Sequence, residues 1–474
     1  MGLWAIKGVL VLRLAAGQVE SLWDEVLPVE VRELPEDLQR IDTLLSDPAL
    51  LAPIAAHWQA EADALGRLIT SHGRPTIAME TFVRLMVVKQ RSGWGYETLV
   101  REVSDSLHLR RFCLIGIDHR VPDESTVRKL TRRLGPETVA EICRLVIAKA
   151  QHETRFCARA ARVDSTVIEA DIRYPSDALL ALQGTRALAR EAAKVQGMVK
   201  GAASKVVDRS RSVGKTVRTI SRTLARRSGE AKAQVMDLNA RAGKRIARSA
   251  REARKLSAQA RAAARGRGAQ AKLAAAAKLE ALAGRCEQVA QQINRRARGL
   301  KITDRLVSLA DPDARPIRKG KLGKPTEFGY VTQICELTEN TRRGARGFIL
   351  PPASVAGNPA ENTLLAITAS ELERLGLKPR ELVGDGGFQT APTLAALPAI
   401  PSEQIQLSGR HEPGSRRTRK RRARYRTGIE GRISHLKRGY GLRRTRLKGH
   451  DGARTWSGWA ILAYNLDTLA IRSH

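Results

Sequence analysis

A chain of 474 residues has room for two to four domains and can bury a core large enough to fold without disulfides or a structural metal. Its 83 Lys and Arg against 48 Asp and Glu give a formal charge of +35 and a pI near 10.9, far beyond what solubility requires, so the partners are polyanions. Aromatic residues make up only 4% of the chain, which argues against a base-stacking single-strand platform as the main binding mode.

Ribosomal and membrane-surface proteins share such a charge, but no apolar run approaches the length of a membrane span. The N-terminal apolar stretch from Gly8 to Gly17 is interrupted by Arg13, which argues against a signal peptide. Cys113, Cys143, Cys157, Cys286 and Cys335 are scattered, with no Cys-x-x-Cys pair, and read as reduced core residues of a cytosolic protein.

Residues 1–70 carry short helical patterns, with Leu45, Leu50, Leu51, Ile54 and His57 at helical spacing, and read as a helical extension. Three helices follow in 71–150, which reads as an N-terminal all-α DNA-binding domain: Ile77 to Ser92, Tyr96 to Arg111, and Asp123 to Leu134 after the breaker Pro122. In the third, Asp123 or Ser125 can cap the N-terminus. Val127, Leu130 and Leu134 face a core, and Arg128, Lys129, Arg132 and Arg133 lie on the outer side. A recognition helix is built this way, and so is an ordinary solvated face.

Between 178 and 303 the composition turns to Ala, Arg, Lys, Ser and Gln, with roughly 29 basic against 7 acidic residues in 181–300. Strong helix formers and few large apolar residues favour long helices lying on DNA backbone over a globular core. A partly disordered basic linker is the competing reading for the middle, around Gly201 to Gly229.

The rest alternates strand and helix. Strands are expected at Ala161 to Ala170, Glu327 to Leu337, Gly347 to Pro352, Glu381 to Gly384 and Gln404 to Leu407, and helices at Glu361 to Leu375, Thr390 to Leu397 and Arg424 to Arg438. That order is ribonuclease H-like: a mixed five-stranded sheet flanked by helices, encoded by 158–177 and 304–474, with the basic segment inserted after the first strand.

Two-metal phosphodiester cleavage needs carboxylates converging on one point, because hard Mg²⁺ prefers oxygen ligands. Asp164 lies in the first strand within Arg-Val-Asp-Ser-Thr-Val. Asp385 follows the strand Glu-Leu-Val-Gly and precedes Gly386 and Gly387, and Glu430 lies in the last basic helix. In a ribonuclease H-like sheet the two aspartate strands are neighbours. Taken singly, such an Asp is more often a turn or helix cap, and such a Glu pairs with Arg four residues away. Asp171 and Asp177 read as caps or salt-bridge partners, and Trp456 and Trp459 as core anchors, since Ile461, Leu462 and Leu466 continue their face.

The chain resembles DDE transposases of bacterial insertion sequences. The strings are Val-Asp-Ser-Thr-Val at 163–167, Tyr-Pro-Ser-Asp at 174–177, Arg-Pro-Ile-Arg-Lys-Gly-Lys at 315–321, Glu-Phe-Gly-Tyr at 327–330 and Gly-Asp-Gly-Gly-Phe at 384–388. The tail from Trp456 to Leu466 is similar to the family's C-terminal helix. Arg426, Glu430 and Lys437 match the signature Tyr-x2-Arg-x3-Glu-x6-Lys, whose Tyr position is Ala423 here, with Tyr425 two residues later. The resemblance implies two Mg²⁺ ions, or Mn²⁺ in their place, at Asp164, Asp385 and Glu430, with Arg426 and Lys437 holding the element's end. It further implies cleavage followed by strand transfer into double-stranded target DNA, by a homodimer on paired ends. The alternatives are a ribonuclease H-like nuclease without strand transfer, a catalytically silent basic DNA-packing protein, and an inactivated transposase.

Overall fold

The computed structural model describes residues 9–17, 26–70, 76–199, 204–226, 228–266, 268–318, 326–342, 344–385 and 414–473, and the backbone of 404–407. The chain forms two compact units, Met1–Asp171 with Tyr330–His474, and Ile172–Gly329.

In the first unit β1 (Val9–Val11) pairs in parallel with β2 (Leu68–Thr70). Between them lie α1 (Val29–Arg32), α2 (Glu36–Leu45) and α3 (Ala52–Leu65), where Leu45, Leu50, Leu51 and Ile54 are buried as their spacing requires. α4 (Met79–Ser92) follows. The helix expected from Tyr96 to Arg111 is two, α5 (Tyr96–Asp105) and α6 (Leu107–Phe112). Ser106 breaks it by adopting an extended backbone (φ −109°, ψ 118°), and its hydroxyl caps α6 by accepting the Leu109 N–H at 3.3 Å. Asp123 caps α7 (Glu124–Glu153) by accepting the Thr126 N–H at 2.9 Å. That helix runs far past Leu134 but kinks at Gly135, whose φ of 67° suits glycine, just before Pro136.

β3 (Ala160–Glu169) is buried along its whole length except at Asp164. The chain then passes through the second unit and returns along β5 (Thr326–Thr338), whose first four residues belong to that second unit. β6 (Phe348–Ile349) pairs antiparallel with β5. After a 3₁₀ turn at Glu361–Leu364 come α12 (Leu365–Arg374), β7 (Glu381–Gly384), β8 (Gln404–Leu407), α13 (Arg416–Gly439) and α14 (His450–Arg472). Within the sheet β5, β3, β7 and β8 lie in that order, β3, β7 and β8 mutually parallel. These strands with β6 make the five expected. The helix expected at Thr390 to Leu397 lies outside the described residues.

The N-terminal helices do not stand apart from this sheet. Their apolar faces join one core with β3, β5, α13 and α14. Phe82 of α4 meets Trp459 of α14 edge to face at 5.7 Å, and Arg144 of α7 donates twice to the Glu371 carboxylate of α12, both at 2.8 Å. Trp456 and Trp459 are buried anchors, as expected. Cys157, expected in the core, is instead exposed; the other four cysteines are buried and all five are free.

The second unit is a bundle of α8 (Asp177–Met198), α9 (Ser210–Leu224), α10 (Gly229–Ala262) and α11 (Ala269–Ala297), with a short strand β4 (Arg315–Arg318) antiparallel to the start of β5. β4 is not evident from sequence periodicity. The expectation of helices without a globular core is corrected: Leu188, Val195, Val213, Ile246, Leu256, Leu279, Val289 and many alanines form one buried cluster. Small residues such as Ala242, Gly243, Ala276 and Ala283 let the helices pack closely, so few large side chains suffice. The stretch read alternatively as a linker contains α9. Asp177 pairs with Arg296 and Arg305, at 2.7 and 3.3 Å.

Candidate active site

β3 and β7 pair in parallel register, Ala160 with Glu381, Ala161 with Leu382 and Arg162 with Val383. Continuing that register by two residues sets Asp164 level with Asp385, which directly follows β7. Asp164 is half-buried, and its Oδ1 accepts the Ser165 N–H at 2.7 Å. Burial pushes its carboxyl above the usual range; Ser165 works against that, the negative charges of Glu361 and Asp385 add to it, and Arg426 opposes them. The two aspartates therefore sense one another electrostatically, as strand neighbours should.

The helix that covers them is held by the strand itself. Arg162 and Asp164, two residues apart, share a face of β3. On that face Arg162 donates to the Tyr425 carbonyl of α13 at 3.0 Å and to Glu336 of β5 at 2.8 and 2.6 Å, with Arg162 and Glu336 both buried. Arg432 of α13 adds a bond to the second Glu336 oxygen at 2.8 Å. The approach is close enough that a β-carbon on Gly428 would fall 1.8 Å from Arg162 Nη1. Tyr425 is buried, its hydroxyl 2.6 Å from Thr338 Oγ1, so it is a core residue and not a contact to DNA. Ala423, at the signature's Tyr position, is exposed.

Glu430 lies two residues beyond Gly428 on this helix. Its side chain is exposed and sits 3.4 Å from Arg426 Nη1, the pairing that helical spacing alone would produce. Among the described residues no three His, Cys, Asp or Glu side chains lie close enough to hold a metal ion. What is assembled is a pair of carboxylates on adjacent strands with Glu361 near enough to act on Asp164. Such an oxygen donor set, whose mutual repulsion a cation would relieve, fits a hard divalent ion.

Two elements of this site were not evident from the sequence. Glu361 opens a 3₁₀ turn, and its carbonyl accepts from Gln333 of β5 at 3.2 Å; nothing local distinguishes it from an ordinary first-turn acid. The Arg162–Glu336–Arg432 network left a faint signal, a Glu within the otherwise apolar and polar-neutral run Tyr330 to Thr338.

Of the four basic residues on the outer face of α7, Lys129 and Arg132 are exposed. Arg128 is paired with Glu124 at 2.7 Å. Arg133 lies over the Trp58 ring at 4.2 Å and bonds Glu61 at 2.8 Å, so it ties α7 to α3. Lys437 is half-buried on α13. Asp171 pairs with Arg446 at 3.0 Å, the salt-bridge role expected of it. No helix among the described residues is long and apolar enough to cross a membrane.

Comparison with protein families gives two matches. Residues 36–133 match the Transposase domain (DUF772), and residues 346–466 match the Transposase DDE domain, which takes in Asp385, Arg426, Glu430 and Lys437. No curated protein and no solved structure matches the chain. The two domains identify a DNA transposase of the DDE type, an enzyme that cleaves DNA strands and transfers them with the help of divalent metal ions.

Proposed function

We propose that this DDE transposase, of the branch carrying the Tyr-Arg-Glu-Lys signature, acts at the ends of its own insertion sequence through Asp164, Asp385 and Glu430. The observation that supports the reading is the β3–β7 register, which, continued by two residues, sets Asp164 within β3 level with Asp385 just past the end of β7. Those two aspartates hold Mg²⁺, or Mn²⁺ in its place. Glu430 completes the set by leaving Arg426 when DNA phosphate takes over the guanidinium. Bound at these carboxylates, divalent ions would supply Lewis acidity to the attacking water and to the leaving 3′ oxygen.

The chain's residues do the remaining work. Arg426 and Lys437, on the helix of Glu430, pair with phosphates of the element's end. The buried Arg162–Glu336–Arg432 network holds α13 over β3, so that Glu430 is presented to the aspartates by a rigid element. Because hydrolysis frees a 3′ hydroxyl beside the same carboxylates, strand transfer uses the same site. A homodimer on paired ends, working on nucleoid DNA in the cytoplasm, joins both ends coherently.

The test is a strand-cleavage and strand-transfer assay on the element's end DNA with Mg²⁺, comparing wild type with Asp164→Asn, Asp385→Asn and Glu430→Gln. Loss of at least about 100-fold in each variant, with DNA binding kept, supports the triad. Full activity in Glu430→Gln would remove that residue from the site. Cleavage without joining would favour the nuclease alternative.

A further inference from the structure

The α8–α11 unit buries most of its apolar residues in one cluster, and its outward charge is arranged in rows. α9 contains no acidic residue, and its exposed Arg211, Lys215, Arg218 and Arg222 recur at intervals of four, three and four. Residues so spaced line one helix face over roughly 16 Å. α10 repeats the spacing with Lys244, Arg248, Arg251 and Lys255, all exposed. Among the described residues only Arg248 of these eight has an acidic partner, Glu252 at 3.4 Å.

Two contacts fix how the helices meet. Arg245 donates to Thr216 Oγ1 at 2.9 Å, and Arg209, the residue capping α9, donates to Glu252 at 2.6 Å. The helices are therefore antiparallel. On each, the basic row lies roughly 90–130° round from these contact positions in the same rotational sense. In antiparallel helices, equal turns of one sense open on the same side. The two rows form one basic face.

Neither helix carries an aromatic residue, so the face has nothing on which to stack unpaired bases. We propose that this face docks the phosphate backbone of duplex DNA without regard to sequence, giving the transposase a salt-sensitive hold on DNA that is independent of its carboxylate site. The proposal takes a DNA substrate as given but does not depend on the metal triad, so either can fail alone.

The experiment uses the full chain with Arg211, Lys215, Arg218 and Arg222 all changed to Gln. Affinity is read by fluorescence anisotropy on an element-end duplex and on a random duplex of the same length, across a salt series. The expected result is an equal loss on both, with the slope of log affinity against log salt shallower by about 0.9 for each phosphate contact removed. A control changing the equally exposed Arg186, Arg190, Lys194 and Arg298 to Gln keeps the wild-type slope. A second variant, Arg211→Lys, Arg218→Lys and Arg222→Lys, preserves charge and must preserve affinity, which separates lost contacts from misfolding. The proposal is overturned if the control loses as much as the α9 variant, if neither loses, or if the loss is confined to end DNA. It is equally overturned if the α9 variant loses binding to anionic lipid vesicles while binding DNA normally.

Discussion

The β3–β7 register pairs Arg162 with Val383, and continued by two residues it sets Asp164 level with Asp385, which directly follows β7 and lies 221 positions away in sequence. Two carboxylates so placed repel one another, and burial together with the charges of Glu361 and Asp385 raises the pKa of Asp164. A divalent cation should therefore stabilise the fold. Thermal unfolding with and without Mg²⁺ is expected to show a rise in Tm for wild type that shrinks in Asp164→Asn and in Asp385→Asn. Without metal, Asp385→Asn should be neutral or stabilising by ~0.5 kcal/mol, since it removes a repulsion. A metal-dependent rise undiminished in both variants would place the ion elsewhere.

Glu336 is fully buried and neutralises two arginines, one from β3 and one from α13. Removing one partner of such a network leaves buried charge uncompensated. Glu336→Gln should cost about 3 kcal/mol and lower strand cleavage, because α13 loses its charged tie to the sheet through Arg432. Equilibrium denaturation measures the first effect; a loss under 1 kcal/mol would show the network contributes little.

Gly428 is where α13 meets Arg162, with no room for a β-carbon. Although the obstructing atom ends a flexible side chain, Arg162 is bonded to Glu336, Tyr425 and Ala345 and has nowhere to go. Gly428→Ala is predicted to destabilise by roughly 2 kcal/mol despite alanine's better helix propensity. Gly431→Ala, with open space around its position, serves as the control and should be neutral or stabilising. Equal melting temperatures for the two variants would contradict the close approach.

Lys89 is fully buried between the rings of Trp456, 3.8 Å away, and Tyr96, 4.8 Å away. Burial first, and then the charge of Arg446, pull its ammonium pKa down from 10.5 to about 7. Between those pH values the unfolded chain binds a proton that the folded chain does not, so this residue's contribution to stability rises with pH across that window. Lys89→Met should be more stable than wild type near pH 7, by on the order of 2 kcal/mol, with the gap narrowing toward pH 10. A gap independent of pH would mean the charge is accommodated by the aromatic rings.

On α7 the structure separates two kinds of basic residue. Lys129→Ala with Arg132→Ala should weaken DNA binding several-fold without shifting Tm, since both are exposed. Arg133→Ala should do the reverse, costing ~1 kcal/mol through its lost contacts to Trp58 and Glu61. Paired binding and melting measurements decide it, and an Arg133→Ala effect on binding alone would return that residue to the DNA-contacting set proposed for α7.

The sequence by itself determined the order of the five strands β3, β5, β6, β7 and β8 with the helices α12 and α13, and the placing of Asp164 within a strand and Asp385 directly after one. These follow from local signals: β-branched runs such as Arg162 to Glu169, helical spacing, caps such as Asp123, and breakers such as Pro122. Partnership over long distances is not periodic and was left to the tertiary structure. Only packing shows that the N-terminal helices share the sheet's core, that the Ala-rich segment closes around small residues into a bundle, and that Glu361 reaches Asp164's surroundings. The same holds for Glu430, whose helical spacing already offered Arg426, and for Arg133, whose outward position did not foretell Trp58. Which neighbour a charged side chain takes depends on distances set by the whole fold, and a residue's own window contains none of them.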